Sequence, residues 1–331
     1  MDEPLHRLHA TAPSFDGGMS NHAPMVLESL ETAGLQRFAG TYLERVHEVL
    51  EPVPPAADGE RTFGDREEAG WIEAYRDAIA SRSVEEVVRE ALPALLPGVM
   101  AGATHGLIRT GHALRGWRRH ASAVRATEVA HALGYWAAWF QELPGTVGVE
   151  PSVGFRTAME TLPGLTAQER SGAGFIFDRV RDLDGVSRFA DAIARVDLRD
   201  LDTGEFLSDM VGIAARMMLT TSGGGFAQLH AITATAAVRE LLPYVEPVLE
   251  LEVRKAVFHA VAALHAAHGS PRAWIAWEPP AVLPDPATLP LRAAQTGSDH
   301  AIKLAVAATC EYSLRPDPAL LCAAEAEVEG C

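Results

Sequence analysis

Nearly every long segment of this chain carries apolar residues at helical spacing, while alternating Val-, Ile- and Thr-rich runs bounded by turns are scarce. The pattern predicts an all-α fold, one multi-helix domain over residues 1–331. Residues 24–49 read as two helices broken near Gly34, with Ser20 and Asn21 as capping residues ahead of Pro24. Residues 51–65 are rich in Pro and Gly and read as an exposed connection. Further helices are predicted over 71–80, 83–96, 98–119, 121–143, 166–181, 186–196 and 205–219, then over 226–242, 246–268 and 297–314. Gly223-Gly224-Gly225 and the Pro-rich stretch 278–291 read as breaks between them. Residues 1–19 and the acidic tail 316–331 are expected to be loosely ordered.

A chain of 331 residues that is 48% apolar buries a large core and needs neither disulfide nor metal to stay folded, so a metal site would serve chemistry. The net charge of −16 repels phosphate backbones and anionic lipid headgroups, which argues against nucleic-acid and membrane partners. No apolar run is long enough to span a bilayer, and the first residues are acidic and polar where a signal peptide is basic and then apolar. Cys310, Cys322 and Cys331 have no metal-like spacing and suit a reducing compartment, so a cytoplasmic location is expected.

Of the 28 basic residues only Lys255 and Lys303 are lysines. A GC-rich genome produces such a bias unaided, yet only lysine has an amine that loses its proton on burial and then serves as nucleophile or base. Lys303 stands in an apolar setting and is a candidate on that ground.

Five of the 13 histidines, in four segments, stand out by context. His22 lies at a predicted helix start in SNHAPM. His105, Arg109 and His112 share a helix face in GATHGLIRTGHALR, where His105 and His112 are about 10 Å apart along the axis, so at most one of the two binds a given metal. His230 stands in an otherwise apolar helix, and His300 and Lys303 are at i, i+3 on the start of another. His6, His9, His47, His120 and His131 read as ordinary positions, and His259, His265 and His268 as supporting or surface residues. Dinucleotide and phosphate-loop glycine motifs, HExxH, paired CxxC, GxSxG and the tandem His-Asp of phosphohydrolases are all absent.

NHAPM at 21–25, LLPGVMAGATHGLIRTGHALR at 95–115, HALGYWAAWFQELPG at 131–145, LHAITATAAVRELLP at 229–243 and SDHAIKL at 298–304 together resemble the questin oxidase family, in particular its shorter bacterial members. The resemblance implies an oxygenase of Baeyer–Villiger or ring-cleaving type acting on anthraquinone-like polyketides. It also implies a buried cavity with a non-haem iron held by several histidines and, in one branch, by a lysine carboxylated at its amine. On that reading His22, His105, His230, His300 and Lys303 as its carbamate are the metal ligands. Arg109 and His112 would hold a substrate phenolate or a peroxo oxygen. O2 would be co-substrate, with electrons from NADPH or from a small aromatic polyketide-like substrate. Imidazoles with one oxygen anion suit Fe(II), with zinc and manganese as competitors. Tyr135, Trp136, Trp139 and Phe140 would line a slot for a flat ligand, although four aromatics at helical spacing are more often core. A metal-dependent hydrolase and a metal-free helical protein that binds apolar ligands are the alternatives.

Overall fold

The helical periodicity becomes sixteen α-helices in the computed structural model, which describes residues 1–331 except 58, 173, 223, 224, 270 and 271. In chain order they are α1 (Asp2–Leu8), α2 (Ala23–Thr32), α3 (Ala39–Val46), α4 (Glu68–Ser81), α5 (Val84–Leu95), α6 (His105–Arg119), α7 (Ala123–Ala138) and α8 (Phe155–Thr161). There follow α9 (Ile176–Arg179), α10 (Ser187–Ala194), α11 (Thr203–Thr220), α12 (Phe226–Leu241), α13 (Glu250–His268), α14 (Leu289–Thr296), α15 (Asp299–Leu314) and α16 (Pro318–Glu329). Among the described residues the strands are four two-residue pieces. Ser14–Phe15 pairs antiparallel with Met19–Ser20, and Val153–Gly154 pairs parallel with Val196–Asp197. No helix among the described residues is long and apolar enough to cross a membrane.

Four helices form a closed ring of neighbours: α2 packs on α6, α6 on α12, α12 on α15, and α15 back on α2. Two glycines of α6 make the close crossings possible. A Cβ on Gly106 would come within 2.9 Å of the Trp136 Cα on α7, and one on Gly111 within 2.7 Å of the Ala237 carbonyl oxygen on α12. Around the ring, α7 covers α6 and is itself covered by α4, while α11, α13 and α16 close the other side.

The helix boundaries differ from the periodicity in instructive places. Residues 98–104 are not α-helical, because Gly102, Ala103 and Thr104 all adopt left-handed φ values of +53°, +59° and +71°, so α6 starts only at His105. Left-handed backbone at two non-glycine residues is strained and persists only where surrounding structure fixes it. Residues 166–181 hold only α9, one helical turn, continued by a 3-10 turn at Val180–Leu183. The N-cap of α2 is His22 itself, with the Asn21 Oδ1 accepting from the Ala23 N–H at 3.0 Å. Gly223 and Gly224 lie outside the described residues, and Gly225 caps α12 with φ +64°.

Both chain ends are built into the fold, contrary to the expectation of loose termini. Asp2 pairs with Arg125 of α7 at 2.8 Å, and Leu8 is buried. In α16 the small residues Ala319, Ala323 and Ala324 allow close approach to α11 and α15, burying Leu320 and Leu321 with them. Alanines bury little area each, which is why a hydropathy pattern undersells such a helix.

Candidate metal centre

Each helix of the ring begins at the same place, and each brings a histidine there. His22 caps α2, His105 is the first residue of α6, His230 lies one turn into α12, and His300 is the second residue of α15. The His22 and His105 rings stack with centroids 4.8 Å apart, and His300 meets His22 edge-on at 4.8 Å. His230 completes the circle at 4.9 Å from His105 and 5.5 Å from His300. Ligand atoms of His22, His105 and His300 lie within 4.8 Å of one another.

Hydrogen bonds to one nitrogen leave the other free. His22 directs Nδ1 at the Asp299 carboxylate, 3.3 Å away. His105 donates from Nδ1 to the Gly102 carbonyl, which the left-handed turn at 102–104 presents to it. His230 donates from Nδ1 to the Phe226 carbonyl at 2.8 Å. In all three the proton sits on Nδ1 and Nε2 keeps its lone pair, the arrangement by which an outer partner fixes the tautomer of a metal-binding histidine. The His300 Nε2 is buried and has no partner among the described residues.

The consequence is electrostatic. The Nε2 atoms of His22 and His105 face each other at 2.8 Å. With Nδ1 protonated on both rings, two lone pairs oppose each other, and a proton shared between them would make one ring an imidazolium. Burial, then the charge of Lys303, holds the His22 pKa down to about 4, and burial holds that of His105 well below its usual value. Burial also lowers His230 to about 3 and pushes His300 far down. The positive ends of four helix dipoles point the same way. A metal ion accepting both lone pairs would relieve the opposition. The donor set therefore fits a borderline divalent cation.

Lys303, one turn after His300, is 2% exposed, and no carboxylate lies within ion-pairing distance of its amine among the described residues. Burial lowers its pKa to about 7, against a smaller opposing effect of Asp299 and Glu327. Near neutrality a substantial fraction of this amine is uncharged.

The four histidines form one wall of a cavity of about 590 Å³. Phe175, Ile176, Phe177 and Phe226 supply apolar surface, and Gln228 and His268 add polar groups. The sequence singles out neither Gln228 nor residues 174–177, and from it His268 is expected only in a supporting or surface place.

Arg109 and His112 are not brought to this cavity. Arg109 makes a buried two-pronged contact with Glu128, with Nε at 2.7 Å and Nη2 at 3.1 Å from its oxygens. His112 Nδ1 lies 2.7 Å from Glu28, which Arg115 also grips. Burial raises the pKa of both carboxyls, but the adjacent cations outweigh it, taking Glu128 down to about 2 and Glu28 well below the usual range. Both residues share the His105 face of α6 but sit too far along its axis to reach the helix start. Tyr135, Trp136 and Trp139 likewise belong to the core. Tyr135 Oη lies 2.5 Å from Ser20 Oγ, and the indoles donate to the Gly98 carbonyl at 3.0 Å and to Glu68 at 2.6 Å. Phe140 stacks on Phe63 at 5.0 Å.

Neither a family model nor a curated protein matches this sequence.

Proposed function

We propose that this protein is a non-haem iron oxygenase that oxidises a polycyclic aromatic ketone or quinone with O2, by Baeyer–Villiger-type insertion or ring cleavage. The observation that carries the reading is the pair of Nε2 atoms facing each other at 2.8 Å, each ring having its Nδ1 engaged. His22, His105 and His300 would hold the ion, with His230 beside them and Lys303 as a further ligand. All five residues fall within the sequence blocks that resemble the questin oxidase family. Ferrous iron, when bound, supplies the one-electron chemistry that lets O2 react with a closed-shell organic substrate.

The chain's own residues do the rest. Asp299 orients His22, and the Gly102 and Phe226 carbonyls orient His105 and His230. Rings of Phe175, Phe177 and Phe226 bind a flat apolar body and exclude water from one wall. The Lys303 amine, in its neutral form, can add CO2 and release a proton, turning a neutral nitrogen group into an anionic oxygen donor. Cysteines 310, 322 and 331 are free, in keeping with a cytoplasmic location.

The test is metal analysis of protein purified without chelator, followed by oxygen uptake with a hydroxyanthraquinone. One iron per chain and substrate-dependent oxygen uptake are expected. Stoichiometry far below one metal per chain overturns the reading, and a bound metal with hydrolysis but no oxygen uptake assigns the site to a hydrolase.

A further inference from the structure

A second cavity, of about 300 Å³, lies between the end of α5, the loop after α7 and one face of α13, and shares no lining residue with the histidine cavity. Leu96, Val99, Leu143 and Val147 give it a buried apolar floor. From α13, Glu252, Lys255, Ala256 and His259 recur at i, i+3, i+4 and i+7, so a single helix face supplies its polar side. Lys255 is already committed, its ammonium donating to the Glu252 carboxylate at 2.9 Å. His259 is committed at one nitrogen only. Its Nε2 lies 3.0 Å from the Pro144 carbonyl, which can only accept, so the neutral ring carries its proton there and Nδ1 keeps the lone pair. That Nδ1 has no partner among the described residues and, unlike the unpartnered nitrogens of His131 and His265, is not sealed off. Burial of the ring holds its pKa down to about 4, which keeps the lone pair available at neutral pH. Glu142, on the rim of the same cavity, is exposed and has no hydrogen bond or ion pair among the described residues.

We propose that this cavity binds a small organic amine, its ammonium donating to the Glu142 carboxylate and to His259 Nδ1 while its apolar body lies on the floor of Leu96, Val99, Leu143 and Val147. The uncommitted groups are both acceptors, and an ammonium is a pure donor. Charge points the same way, since the carboxylates of Glu142 and Glu252 face the one ammonium of Lys255. A carboxylate ligand would have to take Lys255 from Glu252 and lie against the like charge of Glu142. A neutral alcohol fits the floor but forgoes the stronger, charge-assisted hydrogen bond. The proposal does not depend on the iron reading, because none of the candidate metal ligands lines this cavity.

The experiment titrates the full chain at pH 7 by calorimetry with phenethylamine, phenethyl alcohol and phenylacetate, which share an apolar body and differ in the polar end. The amine is expected to bind about tenfold or more tightly than either of the others. Glu142→Gln, a change at an exposed side chain, should remove that preference and leave affinity for the alcohol unchanged. Ala256→Phe fills the cavity from α13 and should abolish binding of all three. With isotope-labelled histidine, the amine should move the ring-nitrogen resonance of His259 and leave those of His22, His105, His230 and His300 in place. No binding of the amine, a preference for the acid or the alcohol, or an amine preference that persists in Glu142→Gln overturns the assignment. So does a histidine shift confined to the other four rings, which would place the amine in the histidine cavity.

Discussion

Asp299 lies 3.3 Å from Nδ1 of His22, and the next residue, His300, turns its ring edge-on to that same imidazole with centroids 4.8 Å apart. One helix start thus orients a candidate ligand carried by another helix and supplies a candidate ligand of its own. Asp299→Asn keeps the size of the side chain but removes the charge that steadies the His22 tautomer. Metal affinity should fall about 10- to 100-fold, with circular dichroism unchanged. Unaltered affinity in a competition titration would show that the carboxylate does not act on the site.

His300→Ala offers a test with opposite signs for two readings. The buried Nε2 has no partner among the described residues, so its removal should leave the metal-free protein as stable as before or slightly more so, while metal content drops. A purely structural histidine would give the reverse: lower melting temperature with metal retained.

Lys303→Met replaces a buried amine with an apolar chain of similar shape. The metal-free melting temperature should rise, since wild type carries the cost of burying this group. Metal content and oxygen uptake should nevertheless fall. Bicarbonate or a small carboxylic acid should partly restore Lys303→Ala by occupying the vacated position, and intact-protein mass spectrometry under CO2 checks for the added group. Full metal loading of both variants would remove Lys303 from the centre.

Arg109→Ala leaves Glu128 charged and buried without its bidentate partner. Stability should drop by about 3–5 kcal/mol in urea unfolding, while metal per folded chain stays at the wild-type value. Selective loss of activity in a fully stable variant would return Arg109 to the substrate.

Acid should weaken the fold through buried histidines outside the candidate metal centre. Burial lowers the pKa of His131 to about 3 and those of His259 and His265 to about 4, from an ordinary value of 6.5. Between pH 6.5 and about 4 the unfolded chain takes up protons that the folded chain refuses, so stability is fully present above pH 6.5 and falls below it. Each residue contributes up to about 1.4 kcal/mol per pH unit in that window. Urea midpoints at pH 7, 6 and 5 should decline progressively, and His265→Gln should flatten the decline.

Much of this was legible in the residues because helical spacing is a repeated signal. The ring helices α2, α6, α12 and α15 all follow from it, and histidines in apolar, glycine-rich surroundings mark the helix starts that meet. Depth along a helix was not legible. His105, Arg109 and His112 do share a face, but the cavity sits only at the first turn, and the carboxylates that claim the other two come from α2 and α7. The start of α6 was misplaced because left-handed backbone at Ala103 and Thr104 is imposed by tertiary contacts and has no local signature.

The meeting of four helix starts also bears on how the chain resists unfolding. The candidate ligands there are residues 22, 105 and 300, so an ion held among them would act as a cross-link closing two loops that together span most of the chain. Closing long loops removes freedom from the disordered chain, and first turns are where helices fray. Loading should therefore slow cleavage by proteases at the junctions before these helices far more than at the 51–65 connection, making limited proteolysis a report on occupancy that needs no substrate.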